Sequence, residues 1–309
     1  MRTALTLVCF LACLADVTAA QKQATTAGAT VRTVRQTLWV APTGFIRIFH
    51  LSGSLRVEGW DRDSLSVSGT VSVPGHGEFA ITPGKQGARV SLWGPDETRA
   101  QPSQLIVRVP RRSQLWIKTQ TANVVVSGFE GGLDVATVAG AVEVTGRPRE
   151  VYIESMGGAA NLVIESRSAR IKTGTGQITL RGNIDDATVS TVSGAVLADD
   201  VRVRTGHFES VDGAIRFSGD LLEPASLEFI NHSGDIELAL SPRSLAAVNV
   251  STITGAFQDD WGIDAKGGPG KLSGKEFSFM LGKEPLAEVI VRNFKGAVIL
   301  KRYTPRRGD

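Results

Sequence analysis

The chain holds only two cysteines, Cys9 and Cys13, and none in the remainder of its 309 residues. Beyond residue 13 there is no thiol to form a disulfide, ligate a metal or act as a nucleophile. Aromatic residues are scarce, at 6%, so the core is not built on large rings. After the first 20 residues no stretch is long and apolar enough to cross a bilayer as a helix. No one sign of charge dominates either. The 34 basic and 31 acidic residues leave a net +3, which gives no electrostatic case for a nucleic-acid partner. The phosphate loop Gly-x-x-x-x-Gly-Lys-Ser/Thr, the hydrolase elbow Gly-x-Ser-x-Gly and the zinc spacing His-Glu-x-x-His are all missing.

The first segment reads as an export signal. Arg2 is followed by the apolar run 4–14, and Thr18-Ala19-Ala20 offers small residues for cleavage before Gln21. Residues 1–20 are therefore expected to be a signal peptide. Cys13 after Leu11-Ala12 is an alternative lipidation site, although Phe10 is a poor residue three places upstream. Residues 21–37 are polar and read as a disordered leader.

What the chain has in quantity is glycine, 34 residues, and much of it is periodic. Gly140, Gly158, Gly176 and Gly194 stand 18 apart. Gly213, Gly234 and Gly255 follow at 19, 21 and 21. Gly53 and Gly296 head two outlying copies, and Ala122 takes the glycine's place before Gly140. Apolar pairs flank each anchor, as in Val142/Val144 and Ile178/Leu180 after it, and Leu133/Val135 and Val151/Ile153 before it. Three residues ahead sits a small polar side chain: Thr119, Thr137, Ser155, Thr173, Thr191, Ser210, Asn231, Thr252 and Asn293. His50 is the exception. One copy is imperfect, with Gly206/Phe208 in the leading apolar pair.

Alternation of this kind makes strands with one buried face. A glycine accepts positive φ at a corner, and Thr, Ser or Asn bonds the backbone of the turn. A unit this small cannot bury its face alone, so copies must stack. The reading predicts an all-β chain, a single-chain β-solenoid (β-helix-like) of about ten short coils. An antiparallel sandwich explains the alternation but not the fixed phase. The phase fails over 61–110, which reads as an irregular β insert capping the N-terminal end. The solenoid is expected to span 38–302, with a loop at 259–275 and a basic tail at 303–309.

Three stretches together resemble the bacterial putative-adhesin β-solenoid family, long catalogued as a domain of unknown function. They are the opening Leu51-Ser-Gly-Ser-Leu-Arg-Val-Glu-Gly-Trp-Asp61, the recurring Thr-x-x-Gly-x-Val, and the closing Val289-Ile-Val-Arg-Asn-Phe-Lys-Gly-Ala-Val-Ile299. The resemblance covers roughly residues 40–302. It implies an exported or envelope-associated protein with an adhesive role, and it brings no catalytic residues with it.

The residues themselves offer little convergent chemistry. His50 and His232 fall in turns, His76 in a Pro-Gly-His-Gly loop and His207 on an outward face. Asp185-Asp186, Asp199-Asp200 and Asp259-Asp260 share no column, so no acidic ladder for calcium is expected. No catalytic residue, metal site or cofactor is assigned. Trp116 and Tyr152 fall in one outward column two copies apart and offer a stacking platform for a sugar; taken singly, exposed aromatics are ordinary surface. The expected function is non-catalytic binding or scaffolding, adhesin-like, in the periplasm, at the cell surface or outside the cell. The expected partner is a protein, a polysaccharide or a surface ligand, with no nucleic acid and no transmembrane segment. A polysaccharide lyase or hydrolase on a β-helix and a self-assembling envelope element are the alternatives.

Overall fold

The structure, a computed structural model, describes residues 30–73, 77–93, 102–262, 268–269 and 275–303. The signal peptide with both cysteines, residues 21–29 of the leader, His76 and the tail past 303 lie outside the described residues. Among those described there are strands and no helices.

In chain order the strands are β1 (Thr30–Trp39), β2 (Phe45–His50), β3 (Gly53–Trp60), β4 (Ser64–Val73), β5 (Glu78–Pro83), β6 (Ala88–Trp93), β7 (Ser103–Pro110) and β8 (Gln114–Thr119). Then come β9 (Asn123–Phe129), β10 (Gly132–Thr137), β11 (Val142–Gly146), β12 (Glu150–Ser155), β13 (Ala160–Thr173), β14 (Ile178–Thr191), β15 (Val196–Ser210) and β16 (Ile215–Asn231). The last are β17 (Ile236–Leu240), β18 (Ala246–Thr252), β19 (Phe257–Asp259), β20 (Gly268–Pro269), β21 (Lys275–Leu281), β22 (Ala287–Asn293) and β23 (Val298–Arg302).

The alternating apolar residues do what their period demands. Leu115 pairs in parallel with Leu133, Leu133 with Val151, Val151 with Ala169 and Ala169 with Ala187. After each corner Val124, Val142, Ala160, Ile178 and Val196 follow one another in the same way. All of these side chains are buried, so each two-strand tier covers the apolar face of the next.

The anchor glycines serve a different purpose from the one expected. Of the nine, only Gly53 and Gly296 have positive φ, at 105° and 93°. The others are needed because tiers lie so close at the corner. A Cβ on Gly158 would stand 2.0 Å from the Gly140 carbonyl oxygen, one on Gly176 2.0 Å from that of Gly158, and one on Gly194 2.1 Å from that of Gly176. Each glycine leaves room for the backbone of the tier beneath it.

The solenoid expectation is corrected by the sheet as a whole. The 23 strands form one mixed sheet, which curls into a nearly closed barrel of 13 strands. Parallel tiers are joined by antiparallel strands that carry no periodic signature: β1 on β4, β4 on β7, β5 on β6 and β21 on β18. The period fixes which residues lie side by side, but curling and closure arise from twist and from these distant pairings.

Three further differences concern particular stretches of the chain. The 61–110 segment is not wholly irregular, since β6 and β7 continue the parallel ladder from β2 and β3. The tier of Gly296 (β22 and β23) is inserted between those of Gly234 and Gly255, pairing on one side with β16 and β17 and on the other with β18 and β19. Residues 30–37, read as leader, belong to β1, which pairs with β4 from Thr30↔Val73 to Trp39↔Ser64.

Candidate functional site

The polar column lies inside the fold. All nine residues, Thr119 through Asn293, are buried. Most bond the turn they open: Thr137, Thr191, Ser210, Asn231 and Thr252 accept the anchor glycine N–H at 3.2, 3.1, 2.9, 3.1 and 3.0 Å. Ser155 and Thr173 instead donate to the anchor carbonyls at 2.9 and 2.7 Å. Thr173 and Thr191 hydroxyls meet at 2.9 Å, a rung between tiers. Asn231 and Asn293 donate to the anchor carbonyl of a neighbouring tier, at 2.8 and 3.2 Å. These side chains satisfy corner backbone that has no ladder partner.

The column fails at one place. His50 ends β2 and sits in register with Thr119, which ends β8. Neither imidazole nitrogen has a hydrogen-bond partner, and the Thr119 hydroxyl has none either. Burial pulls the His50 pKa down to about 4, with the Ser103 backbone opposing in part. The imidazole is therefore neutral at pH 7.

Above this corner lies a cleft of about 620 Å³. β2 and β8 supply its floor through Phe49, His50, Lys118 and Thr119, and the β5–β6 hairpin supplies a wall through Glu78, Arg89 and Trp93. Gln120 and Val138 complete the rim. The Arg89 guanidinium sits 4.6 Å over the Phe49 ring. Trp93 is 58% exposed and Val138 45%.

A second, shallower groove of about 450 Å³ runs across β8, β10, β12 and β13. Parallel register brings Trp116, Asp134, Tyr152 and Arg170 side by side in that order. The predicted pair thus lies in one column with a carboxylate between its members, two strand spacings or about 9.6 Å apart along the sheet. Tyr152 hydroxyl meets Glu154 at 3.2 Å. Burial, and then the nearby Glu154, raises the pKa of Asp134. Burial and the same glutamate raise that of Tyr152. Phe45 stands at the far end, with the Arg47 guanidinium 4.8 Å over its ring.

Sequence reasoning missed the cleft because its wall comes from a hairpin without periodic phase. It also passed over an apolar stripe two residues ahead of the anchors. Val138, Met156, Val192, Val211 and Phe294 are 45, 68, 54, 41 and 41% exposed, and His232 stacks on Phe294 at 4.8 Å. The spacing was readable, but a corner position belongs to neither face of a strand. Asp199, from one of the acidic pairs that share no column, pairs with Arg181 at 2.8 Å and accepts a hydrogen bond from Ser218 at 2.9 Å. His207 lies 3.1 Å from Glu228 on an outward face. Among the described residues no group of three His, Cys, Asp or Glu is placed to hold a metal ion, and no helix is long and apolar enough to cross a membrane.

Two solved structures share the fold. One, described as a putative lipid binding protein from Parabacteroides distasonis, is 10% identical, covers 87% of this chain and 97% of its own, and superposes with a TM-score of 0.53. The other, described as a putative adhesin from Parabacteroides merdae, is 13% identical, with coverage of 87% and 95% and a TM-score of 0.50. At such identities the likeness is one of fold. No protein-family model and no curated protein matches the sequence.

Proposed function

We propose that the chain is an exported, adhesin-like binding protein of the cell envelope that holds a surface polysaccharide in the Trp116–Tyr152 groove without turning it over. Export rests on the layout of residues 1–20. The reading of a binding role agrees with the descriptions given to the proteins of similar fold, one an adhesin and one a lipid binder.

The observation that carries the proposal is the aromatic–carboxylate–aromatic order across a rigid parallel ladder. Two aromatic side chains separated by one strand offer stacking surfaces to sugar rings, and Asp134 between them accepts from hydroxyls. A shallow, open groove suits a polymer that extends past both ends. Residues on paired strands are held in place by backbone bonds, so little entropy is lost on binding.

The test is a binding screen of the purified chain against envelope and extracellular polysaccharides, with products analysed in parallel. Trp116→Ala and Tyr152→Ala are each expected to weaken retention about tenfold, as stacked aromatics of this kind contribute on the order of 1 kcal/mol or more. Retention by the double variant equal to that of the parent would refute the groove. New reducing ends or unsaturated products would refute the non-catalytic reading and favour a lyase or hydrolase.

A further inference from the structure

We infer that the cleft at the His50 corner is a binding site for a single-chain anionic amphiphile, a long-chain fatty carboxylate, with its headgroup between Arg89 and Lys118 and its chain leaving over Val138. The inference does not rest on the polysaccharide reading, because it concerns a different cavity.

Charge is the first argument. Arg89 on β6 and Lys118 on β8 flank β2 from either side, since β2 pairs with both strands. Both line the cleft, against one carboxylate, Glu78. No ion pair among the described residues claims either cation. Arg89 is held over Phe49, which fixes the guanidinium while leaving its edge to bond an anion.

Apolar surface is the second. Trp93, Leu51, Leu92 and Val138 line the same cavity. At its rim Val138 begins the exposed stripe that continues to Met156 in the next tier. An acyl chain leaving the cleft finds apolar side chains outside it as well as inside. A volume of about 620 Å³ lies within the range of small-molecule sites.

The floor beneath the cavity is sealed: His50 and Thr119 are buried on the inward face of β2 and β8, so the headgroup is held by Arg89 and Lys118 and not by the three unpaired polar atoms of this corner.

The experiment is titration calorimetry of the full chain with laurate, monolaurin and dodecyltrimethylammonium, each below its micellar concentration. These ligands share a chain and differ in headgroup charge. Laurate is expected to bind at least about tenfold more tightly than the other two. The double variant Arg89→Ala, Lys118→Ala is expected to lose that preference, and Trp93→Ala to weaken all three. Lys118→Glu alone supplies the charge test if the double variant fails to fold. A Tyr152→Ala variant, altered in the groove alone, is expected to bind laurate normally, which separates this site from the groove. Absence of laurate binding, equal binding of the cationic amphiphile, or an unchanged preference in the folded charge variants would overturn the assignment.

Discussion

Phe49 and Trp116 meet edge to face, with ring centroids 5.1 Å apart and planes at 82°. Phe49 lines the cleft and Trp116 lines the groove, so this contact is the shared wall of the two candidate sites. The two strands that carry them, β2 and β8, are 69 residues apart by register in the chain, as Phe49 pairs opposite Lys118 and Arg47 opposite Trp116.

Because the wall is shared, Phe49→Ala is expected to disturb both sites. An edge-to-face pair contributes about 0.5–1.5 kcal/mol beyond its buried area, so the fold should survive. Polysaccharide retention and laurate affinity should both fall several-fold, measured on the same preparation. An effect on one ligand alone would show that the rings are not coupled.

The close approach at the corners predicts a sharp contrast between adjacent glycines. A Cβ on Gly158 would stand 2.0 Å from the Gly140 carbonyl oxygen, whereas one on Gly157 meets nothing nearer than 3.6 Å. Gly158→Ala should therefore destabilise by about 3 kcal/mol, at the upper end of overpacking costs. Gly157→Ala should be near neutral. Urea denaturation of the two variants decides between this account and one based on φ, since neither glycine has positive φ.

His50 makes stability depend on pH in a defined direction. Its folded pKa of about 4 lies below the unfolded 6.5, so in this window the unfolded chain binds the extra proton. The neutral ring is favoured fully above pH 6.5, and that contribution is lost as pH falls towards about 4, reaching about 3 kcal/mol. His50→Asn, which places the residue found at 231 and 293 of the same column, should flatten that part of the profile. Thermal melts of parent and variant from neutral to acid pH measure the difference, and parallel curves would refute it.

The imperfect repeat at Gly206 has a packing cause that can be tested. Gly206 occupies a column otherwise filled by side chains, between Ala187 and Leu227. A Cβ there would lie 2.7 Å from the Phe208 ring. That ring stacks on Phe229 at 5.0 Å and meets Phe217 at 5.7 Å. Phe208→Val should cost about 2–3 kcal/mol through the cavity it leaves. Adding Gly206→Ala reproduces the Ala187/Val189 pair of the adjacent tier and should recover part of that loss. Additive losses in the double variant would show that the two positions do not share space.

The groove was partly legible in advance. Trp116 and Tyr152 could be placed in one outward column because a strand's side chains alternate and the copies keep phase. The Asp134 between them was implied by the same phase. The cleft was not legible. Trp93 and Arg89 lie in a stretch with no recurring glycine, and nothing in their local sequence says that β6 runs beside β2. The histidine that breaks the polar column was visible, yet its unpaired nitrogens are a property of surroundings drawn from three separate segments.

By itself the sequence determined the alternation of buried and exposed residues, the corner positions and, from the Ala122 copy to the Gly234 copy, the partner of each apolar-pair residue in the next tier. These follow from the two-residue period of a strand and from glycines that let backbones approach. Only the tertiary structure decided that the sheet curls into a nearly closed barrel, that the Gly296 tier lies between those of Gly234 and Gly255, and that a hairpin walls the His50 corner. Those outcomes depend on twist summed over many strands and on pairings between distant segments. A local pattern records neither, because closing a longer loop costs only slightly more entropy and leaves no mark on the residues in between.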